Sequence, residues 1–316
     1  MTSKEQYKSL CESEPSIPLF SQHWWMEAVC AERSWDVVLV RNGEEIIGAM
    51  PYQLSFKYGF RYIFQPMLTQ TNGIWIKPVV GIGEEEKLSR EKAICNEAIA
   101  AIDGLKLSFY RQNFAPAFTN WLPFYWKGFQ QTTRYTYILE DISNPQLCFD
   151  QFSYAKRKQI NKAAGLRLEL GLSAQHFFDH HRQTLAAKGE KIFYSQELFT
   201  RLHDSAAGRG QGQIIALKDD SEKIHAALFI AWDGNSAYNL ISSIDPTTAS
   251  SGASSRVVWE AIQLVSQKTK SFDFEGSMIE GVENSFKQFG GKQTPYFQIW
   301  KSDSKLFSLL FQLKKR

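Results

Sequence analysis

Residues 271 to 291 read SFDFEGSMIEGVENSFKQFGG, so that two carboxylates, Asp273 and Glu275, reach the end of an apolar strand and meet Gly276 and Ser277 at once. A carboxylate held there can accept a proton from a nucleophile or orient an amine. The same residues also suit a plain turn, with Asp273 and Glu275 exposed and Glu275 set at the start of the next helix. A second stretch, TTASSGASS at 247 to 255, precedes an amphipathic pattern carrying Val257, Trp259, Ile262 and Val265. A helix that starts from small residues leaves backbone N–H groups free for an anion; the bland alternative is a loop with Ser254 or Ser255 as cap. If SFDFE runs parallel beside AYNLISSI, Glu275 comes near that helix start, where open α/β sheets place ligands.

The segment SYAKRKQINKAAGLR carries Lys156, Arg157, Lys158, Lys162 and Arg167 with no acid between Asp150 and Glu169. It reads either as a grip for phosphates or as a solvated helix face. Its Ser153-x-x-Lys156 spacing matches serine acyl enzymes, but the companion motifs are missing. His176 and His180 stand one helical turn apart beside His181, without the glutamate or third ligand that a metal site needs, so no metal is expected. GRGQG at 208 to 212 precedes a strand instead of following one and reads as a turn. The aromatic run FTNWLPFYWKGF at 118 to 129 reads as core or interface.

These residues must be positioned by a mixed set of elements. Asn42-Gly43 and Asp233-Gly234 each mark a hairpin. Apolar periodicity predicts helices over about 84–102, 173–188, 196–207 and 253–268, and one continuous helix through FDQFSYAKRKQINKAAG, ending at Gly165. A basic helix closes the chain. Each half reads helix, antiparallel strands, helix, strand, which is not a regular βαβ alternation.

At 316 residues and 43% hydrophobic the chain suits two domains, and a formal charge of +3 is too small for a general nucleic-acid binder. The cysteines, Cys11, Cys30, Cys95 and Cys148, lie far apart, which suggests neither a disulfide framework nor zinc. With no run long enough for a membrane span, a cytoplasmic protein is expected.

The order of elements, with FDFEGS…F…FGG, LTQTNGIWIKP, FTNWLPFYWKGFQQTTRYTY and AKRKQINKA, resembles the FemAB-like or BioF2-like branch of the GNAT acyltransferase superfamily over nearly the entire chain. The resemblance implies an α/β (mixed α+β) fold of two tandem GNAT-like domains, each a mixed, largely antiparallel sheet flanked by helices. Residues 1–148 would be structural and on the acceptor side, and 149–316 the acyltransferase. It implies an N-acyltransferase that moves an acyl or aminoacyl group from a thioester or ester donor to an amine, a small molecule or a cell-wall precursor, by direct attack in a ternary complex.

Carried onto this sequence, Glu275 becomes the base and the backbone of Ile241, Ser242 and Ser243 the oxyanion donors. Ser251, Gly252, Ala253, Ser254 and Ser255 would meet the donor pyrophosphate. Glu190 and Tyr194, in AKGEKIFYS, would meet substrate, as would Lys287 and Lys292. Only Gly252 remains of the glycine pattern for acyl-CoA, so aminoacyl-tRNA stands beside acyl-CoA as donor, with Lys156, Arg157 and Lys158 on its phosphates. The alternative is a non-catalytic module that binds RNA or a nucleotide-linked precursor through residues 156–162.

Overall fold

The computed structural model describes residues 1–30, 34–276, 278–304 and 307. In chain order its elements are α1 (Ser3–Ser13), α2 (His23–Cys30), β1 (Trp35–Asn42), β2 (Glu45–Lys57), β3 (Phe60–Phe64), β4 (Trp75–Ile76), α3 (Glu84–Gly104), β5 (Phe109–Asn113), α4 (Leu122–Trp126) and β6 (Gln130–Leu139). There follow α5 (Pro145–Gln151), α6 (Tyr154–Lys162), β7 (Arg167–Leu170), α7 (Ala174–Ala186), α8 (Gln196–Ala207), β8 (Gly212–Lys218), β9 (Ile224–Trp232), β10 (Ser236–Ile244), α9 (Ala253–Val265), β11 (Ser271–Asp273), α10 (Glu280–Phe286) and β12 (Lys292–Ser302). This is the mixed α/β class expected from the sequence. The closing basic helix falls outside the described residues.

The chain divides into two units, and the division is not the linear one expected at 148/149. Unit 1 is Met1–Arg134 together with the chain from Pro295 onward; unit 2 is Tyr135–Thr294. In unit 1, β1 and β2 pair antiparallel from Trp35↔Gln53 to Asn42↔Glu45, closing the expected hairpin. β3 follows antiparallel to β2, β5 is parallel to β3, and β12 is antiparallel to β5, from Gln298↔Asn113 to Ser302↔Phe109. One side of α3 (Ile94, Cys95, Ala98, Ile99, Ile102) closes a core with Ile63, Tyr110, Phe114, Phe124, Phe129 and Ile299. The aromatic run is therefore core at Phe118, Phe124 and Phe129, while Leu122, Tyr125 and Trp126 are exposed.

In unit 2 the strand order is β6-β11-β10-β9-β8-β7. β10 and β11 are parallel, which requires a crossover, and α9 supplies it; the other pairs are antiparallel. Val257, Val258, Ala261, Ile262 and Val265 of α9 pack with Ile215, Leu217, Leu228 and Ile230 of the sheet. The alternate residues Ile214, Ala216, Ala227 and Phe229 are also fully buried, with Phe199, Leu202 and Ala206 of α8. Burial on both faces explains why IHAALFIAW reads as a continuous apolar run. The predicted single helix at 149–165 is two helices: Phe152 is extended, and Ser153 caps α6 by accepting from Lys156 N at 3.2 Å. The S-x-x-K spacing is thus a helix cap.

Candidate active site

Pairing between β10 and β11 is confined to Ser236↔Ser271, Ala237↔Phe272 and Tyr238↔Asp273. Beyond it, β10 runs on from Asn239 to Ile244, paired with β9 alone among the described residues and bulged between Asn239 and Ile241. The other strand follows β6 instead: Phe274 N donates to Tyr137 O at 3.0 Å, and Gly276 N donates to Thr136 Oγ1 at 2.9 Å. The two strands therefore part after Tyr238 and Asp273. Alternate residues of an antiparallel strand turn N–H and C=O away from their partner, so part of the 239–244 backbone faces the gap.

Three titratable side chains gather where the strands part. Asp273 is buried; its Oδ1 accepts from Thr136 Oγ1 and, at 2.7 Å, from Glu275 N. Those bonds hold Glu275 in the left-handed region at φ 53, a conformation costly for a residue with a Cβ. Gly276 is obligatory beside it, because a Cβ there would lie 2.3 Å from Thr136 Cα. Glu275 Oε1 is buried without a hydrogen-bond partner among the described residues. Burial first, and the Asp273 carboxylate second, push the Glu275 carboxyl well above its ordinary range. The third group is Tyr238, the register partner of Asp273, whose phenol is raised by burial and by Asp233, Asp273 and Glu275. Sequence reasoning missed Tyr238. The signal was the predicted parallel pairing of AYNLISSI with SFDFE, which puts it opposite Asp273.

The phenylalanines of the motif are structural. Phe274 packs at 5.1 Å on Phe289 and 5.5 Å on Phe286, and Phe152 meets Phe289 edge-on at 5.1 Å.

The small-residue loop is less open than expected. Gly252, in the left-handed region at φ +85, begins α9, and a Cβ on it would lie 2.1 Å from Gln159 O of α6. Ser255 Oγ donates to Gln159 Oε1 at 2.6 Å and accepts from Lys156 Nζ at 3.2 Å. Gly252, Ala253 and Ser255 are therefore buried beneath α6, and Ser251 and Ser254 are the half-buried residues of the segment.

The basic helix does not present a row of cations. Lys156, 3% exposed, points inward to Ser255, Ser285 and the Phe289 ring, and burial lowers its ammonium to about 8. Arg157 donates to the carbonyls of Asp150 and Phe152 at 2.8 and 2.7 Å, capping α5. Lys158 alone of the three is exposed. Phosphate contact by Lys156 is thus excluded by burial.

On the far face of β10, Ser243 Oγ lies 2.7 Å from His180 Nδ1 and 3.2 Å from Thr184 Oγ1, fixing α7 to the strand. Ser242 is exposed and donates to Asn239 Oδ1 at 3.0 Å, and Ile241 is buried. The oxyanion role expected of these three residues concerns their backbone N–H groups, not these side chains. Tyr194 is buried, stacked on His181 at 6.3 Å, with its hydroxyl unpartnered among the described residues; Glu190 is exposed. Lys287 and Lys292 are exposed and paired with Glu283 at 3.5 Å and Glu140 at 2.7 Å. Among the described residues no group of side chains could hold a metal, and no helix is long and apolar enough to cross a membrane.

Compared with known families, residues 153–287 match the acetyltransferase (GNAT) domain. Unit 2 carries a GNAT domain. No curated protein matches the chain. Among solved structures, FemX is similar at a TM-score of 0.70 with 11% identity, over 94% of this chain and 96% of that one. The C-terminal domain of a putative lysylphosphatidylglycerol synthetase from Agrobacterium fabrum aligns at 0.59 and 12%, covering 98% and 94%. A tandem GNAT protein from the clavulanic acid biosynthesis pathway aligns at 0.56 and 10%, covering 94% of each. At these identities the likeness is one of fold, and the fold is the tandem GNAT one expected from the sequence. The parted strands and the Tyr238–Asp273–Glu275 group lie at the heart of the GNAT domain.

Proposed function

We propose that the GNAT domain transfers an acyl group from a thioester or ester donor to an amine by direct attack in the gap between β10 and β11, with Glu275 as the base. The observation that carries this reading is Glu275 itself: a left-handed, buried carboxyl with an unpartnered oxygen, placed where two strands separate. Strain and desolvation of this kind are maintained at functional sites.

The chemistry needs what the group supplies. A lysine-like amine costs about 4.6 kcal/mol to deprotonate at pH 7, and an α-amine about 1 kcal/mol. A carboxylate whose pKa is raised by burial is a stronger base than one in water and narrows that gap. Attack on the acyl carbonyl builds an oxyanion, for which the outward amides of 239–244 are the available donors. The leaving thiolate or alkoxide then takes a proton, for which the Tyr238 hydroxyl beside Asp273 is the candidate donor.

The donor is the less determined partner. Ser251 and Ser254 are the residues of the loop left to meet a donor phosphate, since Gly252, Ala253 and Ser255 are covered. With Lys156 buried and Arg157 committed to α5, the basic helix gives aminoacyl-tRNA and the RNA-binding alternative little support. An acyl thioester is accordingly the first donor to test.

Glu275→Gln is expected to retain cooperative unfolding and to lower kcat/KM by roughly 10² to 10⁴ with any productive donor and amine pair. In the wild type the acidic limb of kcat/KM should lie above the ordinary carboxylate range. Unchanged turnover in the variant rejects Glu275 as the base.

A further inference from the structure

Lys156 of α6 is a buried base that the proposed acyl transfer to an amine leaves unused. Its Nζ lies 3.2 Å from Ser255 Oγ of α9 and 3.1 Å from Ser285 Oγ of α10, with the centroid of the Phe289 ring 4.5 Å away. The two serines differ. Ser255 is 2% exposed and donates its hydrogen bond to Gln159 Oε1. Ser285 is half-buried on a helix that has no fully buried residue, and its hydroxyl proton has no acceptor among the described residues. Ser153, the serine of the S-x-x-K spacing, is occupied as the cap of α6.

The surrounding contacts hold Ser285 against Lys156. Ser153 N donates to Gln288 O at 2.8 Å, and Phe289 packs edge-on against Phe152, so the chain just past Ser285 is fixed to the start of α6. Glu283, earlier on α10, accepts from Tyr137 of the sheet. The charges on the elements packed around Lys156 are engaged elsewhere or exposed. Glu283 pairs with Lys287, Arg256 of α9 pairs with Glu260, Arg157 is bound to the carbonyls of α5, and Lys158 and Lys162 are exposed. Burial therefore acts on Lys156 unopposed and lowers its ammonium to about 8, so that the neutral amine is accessible near neutral pH. A neutral amine at hydrogen-bond distance from a hydroxyl can accept its proton, the arrangement of a serine–lysine nucleophile pair.

We propose that Ser285 is a nucleophile, with Lys156 as its base, which takes the acyl group of an activated ester. The bond from Ser285 Oγ to the acyl carbon forms and the bond from that carbon to the leaving oxygen breaks. The proton passes from Ser285 to Lys156 Nζ and on to the leaving group, so the products are an O-acyl serine on α10 and a free alcohol or phenol. The step does not pass through Glu275, and it stands whether or not the GNAT domain transfers acyl groups to amines.

Treatment of the full chain with p-nitrophenyl acetate, followed by peptide mass spectrometry, tests it. An acetyl ester that hydroxylamine removes is expected on Ser285 and should be missing in Ser285→Ala. Its rate of formation should climb with pH and level off above about pH 8, where Lys156 is neutral. Lys156→Met should slow the reaction by at least about tenfold, since a positioned base contributes about 10²–10⁴-fold, and should abolish that rise. Lys156→Arg, which keeps a cation that does not deprotonate, should be slowed equally and decides the matter if the methionine variant does not fold. An unmodified Ser285 in the wild type, an unchanged rate in both lysine variants, or a hydroxylamine-resistant acetyl group on Lys156 in place of the serine ester each overturns the proposal.

Discussion

Lys156 places an ammonium among two hydroxyls and one ring, with no carboxylate in its surroundings among the described residues. Its folded pKa of about 8 lies below the ordinary lysine value of 10.5, so folding disfavours the charged form. Below pH 8 the ammonium is charged in both states and the folded protein bears the whole penalty, about 3 kcal/mol. As pH rises from 8 toward 10.5 the folded state releases its proton first and the penalty fades. Urea unfolding of the wild type and Lys156→Met at pH 7 and 9.5 measures this. The stability difference, wild type minus variant, should shift in favour of the wild type by about 2 kcal/mol over that interval, and a pH-independent difference contradicts it. The sequence showed the charge run but not which of its members turned inward, because AKRK places a cation on nearly every side of a helix. At the parted strands more was visible: Glu275 was legible from two carboxylates and a glycine at a strand end. Its backbone setting was not, because Thr136, which bonds Asp273 and the Gly276 N–H, is remote in sequence.

The contact of α6 with α9 shows how an element can be read correctly and its role misread. A glycine before a helix of small residues suggested an open anion cradle, whereas Gly252 is glycine because the Gln159 carbonyl occupies the space of a side chain. Gly252→Ala adds left-handed strain of about 1–2 kcal/mol to that overlap and must push α6 off α9. A loss of at least about 3 kcal/mol in urea unfolding is expected. Gly165, also after α6, has open space around it and no positive φ, so Gly165→Ala should be neutral or stabilising by up to about 1 kcal/mol. Equal effects at the two positions are incompatible with this packing. Helices such as α8 and hairpins such as β1–β2 were readable because period and turn residues are local signals. The break at Ser153 was not, since a serine cap inside an otherwise helical pattern is decided by where α5 and α6 pack.

The assignment of β12 to unit 1 was invisible in the sequence for the same reason at longer range: TPYFQIW announces a strand, but nothing in it names a partner almost two hundred residues away. That strand supplies unit 1 with the neighbour of β5 along Phe109 to Asn113, with a fully buried Ile299 and a half-buried Phe297 in its core. Fully burying side chains of this size contributes about 1.5–3 kcal/mol each, so one buried and one half-buried chain give the strand about 3 kcal/mol. A domain's entire stability is about 5–15 kcal/mol. The linear fragment 1–148, the domain a sequence reading would choose, also leaves β5 as an open edge prone to self-association. It is expected to lack a cooperative thermal transition and to aggregate. Joining residues 292–304 to it through a flexible glycine-serine linker should restore a cooperative transition, measured by circular dichroism. If fragment 1–148 alone unfolds cooperatively, the closing strand is an accessory to unit 1 and not part of its fold.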